Sequence, residues 1–314
     1  MANSDADARA TGPRRPHGVA DRAAHARLIR RRRAIAGTIV AVAIAALVVG
    51  TVMGADARSR RHPLPSGVGA RAPLRHPALR KASLAVREAD AIERTRLTVP
   101  IVRMAGAQHR EIALTFDDGP GPYTPEIVRI LTRTHTPATF FEVGEELRWF
   151  GAATAQILRL GDPIGDHTWS HPDMARLNGR AQRRELLRDA AAIGDEGAPF
   201  PLMYRPPFGR WDAATLRLLA ESHMLMVLWS VDTGDWDRPG AGQIVARALA
   251  GSRPGAIILM HDAGGDRSQT VAALPRIIRD LRRRGYRLVT VPRLLLDNPA
   301  PRRQDIDSVR GEAG

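Results

Sequence analysis

The stretch TFDDGP, Thr115 to Pro120, sets two carboxylates side by side at the predicted end of a strand. An apolar run, Ile112–Phe116, leads into it. TPEIVRIL follows, with Thr124 as predicted N-cap and Pro125 at the first helical position. Strand, polar turn and helix in that order make one unit. The same order recurs along the chain, with strand-like runs at Ala138–Val143, Pro163–Gly165, Leu202–Tyr204, Met224–Val231, Ala256–Met260 and Arg287–Val291. Helical patterns fall between most of them. GRAQRRELLRDAAAIG follows Asn178, DAATLRLLAES opens on Asp212, and QTVAALPRIIRDLRRRG closes on Gly285, with Pro275 a candidate kink. Such alternation predicts an α/β fold with a parallel sheet and helices outside. About seven units favour closure into a barrel, with chemistry at the carboxyl ends of the strands.

Polar clusters stand at those ends. Asp117 and Asp118 follow the first strand, GDHTWSH the third, RPPFGRW the fourth and DTGDW the fifth, while LMHD ends the sixth. Stability alone explains five polar clusters on one rim poorly, because each uncompensated polar group there costs free energy. His167 and His171 are spaced i, i+4, so one helical turn would aim both imidazoles at one ion. Thr168 stands where a zinc-protease motif has its Glu, which disfavours a metalloprotease. Alone, the pair would read as two surface histidines; one added carboxylate completes a His-His-Asp set with open positions. Where a strand ends in a turn, neighbouring carboxylates can diverge within one site. One would then bind the ion and the other take a proton from water. A plain turn-forming pair is the bland alternative, since DDGPGP is rich in turn residues.

The 314 residues carry a net charge of +14. The first 108 hold 20 Lys and Arg against 7 Asp and Glu, leaving 27 against 26 for the remainder. The basicity belongs to the N-terminal third, which argues against a nucleic-acid enzyme. There is no cysteine, so any metal must be held by His, Asp or Glu. Residues 34–55 contain no charge and are long enough to span a bilayer, with Arg30–Arg33 at their amino end. They read as a single transmembrane anchor with the body outside; a signal peptide cleaved near Ala57 is the alternative. The organisation expected is a basic disordered tail (1–33), the anchor (34–55), an Arg/Pro/Ala-rich spacer (56–108) with a helical piece near Leu84–Arg96, a catalytic domain (109–298) and a polar tail (299–314).

Together TFDDGP, HTWSH, RPPFG, DTGDW and LMHD, in this order over roughly residues 110–296, resemble the five blocks of the polysaccharide deacetylase domain (NodB homology, carbohydrate esterase family 4). The resemblance covers about sixty per cent of the chain and says nothing of residues 1–108. It implies a distorted (β/α) barrel and a divalent-metal hydrolase that removes acetyl groups from sugars. Residue by residue it implies Asp118, His167 and His171 as metal ligands, and Asp117 as general base held by Arg205. It further implies an oxyanion donor at the Phe208 backbone, His261 as acid and Asp235 as its carboxylate partner. Trp236 and Leu259 would line the acetyl pocket. Phe208 stands where many members have Tyr, so a contact that needs the hydroxyl would be lost. Zn²⁺ is the foremost metal for such a set, with Co²⁺, Ni²⁺ or Mn²⁺ as alternatives. The partners expected are an acetylated glycan, such as peptidoglycan or a chitin-type oligomer, and a membrane at residues 34–55. A non-catalytic glycan-binding or wall-scaffold protein on the same fold is the competing reading.

Overall fold

Every residue of β2 (Glu111–Gly119) from Glu111 to Asp117 is buried. Burial on both faces is why its apolar run is unbroken rather than alternating. The computed structural model describes residues 77–306. Within them lie eight further strands: β1 (Ile101–Val102), β3 (Thr139–Glu142), β4 (Ile164–Asp166), β5 (Met203–Tyr204), β6 (Leu225–Val227), β7 (Val231–Asp232), β8 (Ala256–His261) and β9 (Arg287–Val289). The helices are α1 (Pro77–Thr98), α2 (Thr124–Thr134), α3 (Leu147–Leu160), α4 (Gly179–Asp195), α5 (Ala213–Glu221), α6 (Ala241–Ala250), α7 (Ser268–Arg283) and α8 (Val291–Asp297).

The sheet order is β1-β6-β5-β4-β3-β2-β8-β7, with every strand pairing parallel. One side of β2 carries β8. On the other, β9 pairs with residues 111–113 and β3 with residues 115–119. The alternation of strands and helices is therefore as expected, but the predicted closure is incomplete. Among the described residues no ladder joins β1 to β7, and each of these end strands is only two residues long. The result is a half-barrel. The single apolar run Met224–Val231 is also two strands, β6 and β7, which lie at different places in the sheet.

Alternate residues of the strands serve different layers. Ile112, Leu114, Phe116, Phe140, Ile258 and Met260 pack outward against Ile127 and Leu131 of α2, Ile157 of α3, Ile244 of α6 and Leu274 and Ile277 of α7. Phe116 and Phe140 stack with ring centres 5.2 Å apart. Each fully buried side chain of this size contributes about 1.5–3 kcal/mol relative to exposure. Ala113, Phe141, Met203, Leu225, Val227 and Ile257 form a second, inner cluster. Ile92 of α1 and Val291, Leu294 and Leu295 of α8 belong to the same cluster. Asn298, just after α8, donates to Glu111 at the amino end of β2 (2.7 Å), opposite the carboxylate pair.

Local signals set most helix ends. Asn178 caps α4 by accepting from the Ala181 N–H, and Asp212 caps α5 in a reciprocal capping box with Thr215. Gly285 follows α7 in a left-handed conformation, and α7 runs through Pro275. Thr124 departs from its predicted capping role. It lies inside α2, and its hydroxyl donates to Asp262 (2.5 Å) while accepting from the Gly121 N–H (2.7 Å). The helical piece expected near Leu84–Arg96 belongs to the 22-residue α1. Among the described residues no helix is long and apolar enough to cross a membrane. The anchor expected over residues 34–55 lies outside them, as does the basic tail.

Candidate active site and metal centre

Strand β2 does not end before its two carboxylates, as predicted, but runs through them. Its register with β3 shifts between Asp117, opposite Phe141, and Gly119, opposite Glu142. Asp118 is the extra residue of this bulge, with φ at 71°. A bulge re-aims a side chain that a regular strand would send to the opposite face, so both carboxylates serve one site. The loop after β8 comes close to Asp118. Gly264 sits at φ +71°, and a Cβ there would lie 2.2 Å from Asp118 Oδ2.

Asp117 is buried and points at Arg205. Arg205 Nη1 donates to Asp117 Oδ1 (2.7 Å) and to Thr115 Oγ1 (2.9 Å), while Nε and Nη2 donate to the carbonyls of Val227 (2.9 Å) and Leu228 (3.2 Å). The guanidinium lies 4.1 Å from the centre of the Phe141 ring. Gly165 leaves room for that ring, since a Cβ there would come within 2.5 Å of it. Arg205 is fully buried, and burial pulls its pKa down despite the Asp117 carboxylate. The backbone of the same residue orients a second group, because the Arg205 carbonyl accepts from His167 Nδ1 (2.7 Å). A carbonyl can only accept, so this contact assigns the Nδ1 proton and leaves Nε2 facing Asp118.

His167 and His171 do converge, but not on a helical turn. Residues 167–171 form a loop after β4 in which Thr168 (φ 72°) and His171 (φ 55°) are left-handed. Such non-glycine conformations cost of order 1–3 kcal/mol each and persist only where surrounding contacts hold them. The two rings stand 5.0 Å apart, and Phe208 meets His171 edge-on at 4.7 Å. His171 Nε2 lies 3.1 Å and His167 Nε2 3.5 Å from Asp118 Oδ1, with Asp117 Oδ2 3.9 Å from His167 Nε2. Burial opposes the charge on Asp118, but the two imidazoles hold its carboxyl well below the usual range. Burial likewise opposes a proton on His167, and the Asp117 and Asp118 carboxylates outweigh it, raising its pKa.

One carboxylate and two imidazole atoms thus lie within 4.8 Å of one another. Asp118 Oδ1 is buried without a hydrogen-bond donor. The proton assigned to His167 Nδ1 leaves its other nitrogen available for coordination. This donor set fits a first-row divalent cation with positions left open.

A second pair stands beside the first. His261 Nδ1 donates to Asp235 Oδ1 (2.8 Å), and the His261 N–H donates to Asp235 Oδ2 (2.8 Å). Burial works against the imidazolium, but Asp235, with further help from Asp118 and Asp117, pushes His261 up to about 9. Asp235 is buried, which disfavours its charge, yet His261 holds its carboxyl below the ordinary value. The hydroxyls of Thr270 (2.8 Å) and Thr233 (3.2 Å) also donate to it.

The remaining sequence candidates take different positions. Phe208 (φ 57°) and Trp236 are each 53 % exposed on the connections after β5 and β7. Leu259 is buried in a cluster with Tyr204, Trp211 and Trp229. Sequence reasoning missed Thr115, Thr270, Asp189 and Glu185. For Asp189 a signal was present: it shares the buried stripe of α4 with Gln182, Leu186, Ala190 and Ile193. A carboxylate on such a stripe requires a partner.

The family model described as polysaccharide deacetylase matches residues 105–227. A peptidoglycan-N-acetylglucosamine deacetylase of Bacillus cereus is 38 % identical over 187 residues, covering 59 % of this chain and 87 % of the relative. The chain belongs to the polysaccharide deacetylase family. A second member, a chitooligosaccharide deacetylase of a Bradyrhizobium species, is 37 % identical over 198 residues, covering 59 % of this chain and 90 % of its own. Among solved structures, the Bc1960 peptidoglycan N-acetylglucosamine deacetylase superposes with a TM-score of 0.61 at 33 % identity, over 66 % of this chain and 96 % of that one. The matched residues include three of the five blocks, TFDDGP, HTWSH and RPPFG, and the half-barrel brings the polar residues of all five to one rim.

Proposed function

We propose that this polysaccharide deacetylase homologue is a divalent-metal-dependent hydrolase that removes N-acetyl groups from N-acetylglucosamine units of a cell-wall or extracellular glycan. The observation that carries the reading is the meeting of three sets at one rim: Asp118 with two imidazoles, Asp117 with Arg205, and His261 with Asp235. Asp118, His167 and His171 would hold a divalent ion, with Zn²⁺ foremost, which would supply Lewis-acid polarisation of the acyl carbonyl and of a water. Asp117, fixed through Oδ1 by Arg205, takes a proton from the attacking water through Oδ2. The Phe208 N–H donates to the oxyanion that develops as water adds to the carbonyl. His261 gives its proton to the sugar nitrogen as the C–N bond breaks, leaving acetate and a free amine. Asp235 keeps that imidazole charged beforehand, and Trp236 with Leu259 contacts the acetyl methyl. Both relatives named above act on N-acetylglucosamine-type material by their names, which supports peptidoglycan or a chitin-type oligomer as the substrate class. Anchorage through residues 34–55, with the catalytic domain outside the membrane, belongs to the same proposal and rests on their uncharged composition.

The test is acetate release by the full chain from an N-acetylglucosamine oligomer and from peptidoglycan, after metal removal and after Zn²⁺ or Co²⁺ is restored. Release that depends on metal is expected. A folded, metal-loaded protein inert on both would favour the glycan-binding alternative.

The His261–Asp235 pair makes a separate prediction about pH. The acid must start protonated, so activity should fall as pH rises through the pKa of His261, which Asp235 holds above the ordinary imidazole value. In Asp235→Asn the carboxylate that favours the imidazolium is gone, and the falling limb of kcat/KM should move to lower pH. An unmoved limb would show that another group sets it.

A further inference from the structure

The two histidines proposed as metal ligands sit in a loop whose backbone is strained at Thr168 and His171, and α4 holds that loop from residues 185 to 189. Asp189 Oδ2 accepts from the His167 N–H (3.0 Å), which also donates to the Glu142 carbonyl of β3 (3.0 Å). One helical turn earlier, Glu185 Oε2 accepts from the Ser170 N–H (2.8 Å) and its hydroxyl (3.0 Å), and the Glu185 carbonyl accepts from the Trp169 N–H (3.2 Å). The Arg188 guanidinium lies 3.7 Å from the centre of the Trp169 ring. Asp166 Oδ1 accepts from the Thr168 N–H (2.9 Å). Four successive N–H groups, 167 to 170, thereby find acceptors, and three of the four have one on α4.

We infer that Glu185 and Asp189, i and i+4 on α4, form a clamp that positions His167 and His171 for the metal. The inference rests on the metal reading above. Neither carboxylate touches a ligand imidazole, so the pair acts through the backbone of the loop. The i, i+4 spacing puts both acceptors on one helix face, and the side chains reach a loop that is itself neither strand nor helix. Gly144 belongs to the arrangement: a Cβ there would meet Asp189 Oδ1 at 2.7 Å and the Trp169 ring at 2.8 Å. Outer hydrogen-bond partners of metal ligands commonly carry 10–100-fold of metal affinity.

The experiment uses the full chain and Zn²⁺ affinity measured by chelator competition, with the Co²⁺ d–d spectrum as a probe of coordination geometry. Glu185→Ala and Asp189→Ala should each weaken Zn²⁺ binding about 10–100-fold and alter the Co²⁺ spectrum. Glu185→Gln and Asp189→Asn keep an acceptor oxygen and should stay within a few fold of the parent. Thermal unfolding of the metal-free proteins separates loss of positioning from loss of fold. Glu185 bonds the loop at its exposed edge, so Glu185→Ala carries the test even where Asp189→Ala does not fold. Unchanged affinity and spectrum in a folded Glu185→Ala would overturn the clamp, as would equal losses in the alanine and amide variants. A parent protein that binds no Zn²⁺ would instead overturn the metal reading itself.

Discussion

Asp117→Asn should lower the rate of acetate release by about 10²–10⁴-fold, the usual contribution of a positioned general base, while Zn²⁺ remains bound. The substitution is isosteric and leaves an oxygen to accept from Arg205 Nη1, where the native contact is 2.7 Å. What it removes is the basic oxygen that faces His167 Nε2 across 3.9 Å. The ligands proposed for the metal are untouched, so binding and turnover should separate cleanly. Chelator competition and steady-state kinetics on the same preparation make the comparison. A loss below tenfold would remove Asp117 from the role of base. A parallel loss of Zn²⁺ would mean that Asp117 is a ligand, and the division of labour between the two carboxylates would be wrong.

Arg205→Met should cost about 3–5 kcal/mol of folding stability, the range seen when one partner of a buried ion pair is removed. Asp117 would be left 3 % exposed without its cation. The carbonyls of Val227 and Leu228 and the Thr115 hydroxyl would lose a donor as well. Urea unfolding of the metal-free protein reads the effect as a lower midpoint at unchanged slope. An apolar pair in the same space avoids the stranded charge, so Asp117→Leu added to Arg205→Met should recover much of the loss. Activity should not return with it, because stability and catalysis draw on the same ion pair for different reasons. A single-variant cost under 1 kcal/mol would show that the site relaxes around the unpaired carboxylate.

The two predictions concern residues that were visible in the sequence for a simple reason. Catalytic groups of an α/β sheet collect where strands end, and strand ends can be read from apolar runs and the turn residues that follow. The five blocks therefore point to Asp117, Asp118, His167, His171, Arg205, Asp235 and His261, and Asn178, Asp212 and Gly285 mark helix ends by local hydrogen bonding and backbone freedom. The supporting residues were less legible. Thr270 and Glu185 are ordinary helix residues in sequence, and only their neighbours in space make them acceptors or donors to the site.

Local composition determined which segments become strands and helices, which of their ends carry chemistry, and which donor types are available to a metal. Tertiary structure decided how those ends meet. The bulge at Asp118 arises from pairing with β3, and the loop of His167 and His171 has left-handed residues at Thr168 and His171 where its i, i+4 spacing suggested a helix. The sheet stops at β1 and β7 although the count of units suggested a barrel. These outcomes have one physical cause. Spacing along a chain reports only interactions within a few residues. Register, loop strain and closure are set by hydrogen bonds between segments tens of residues apart, such as Asp189 with His167 or Arg205 with Asp117.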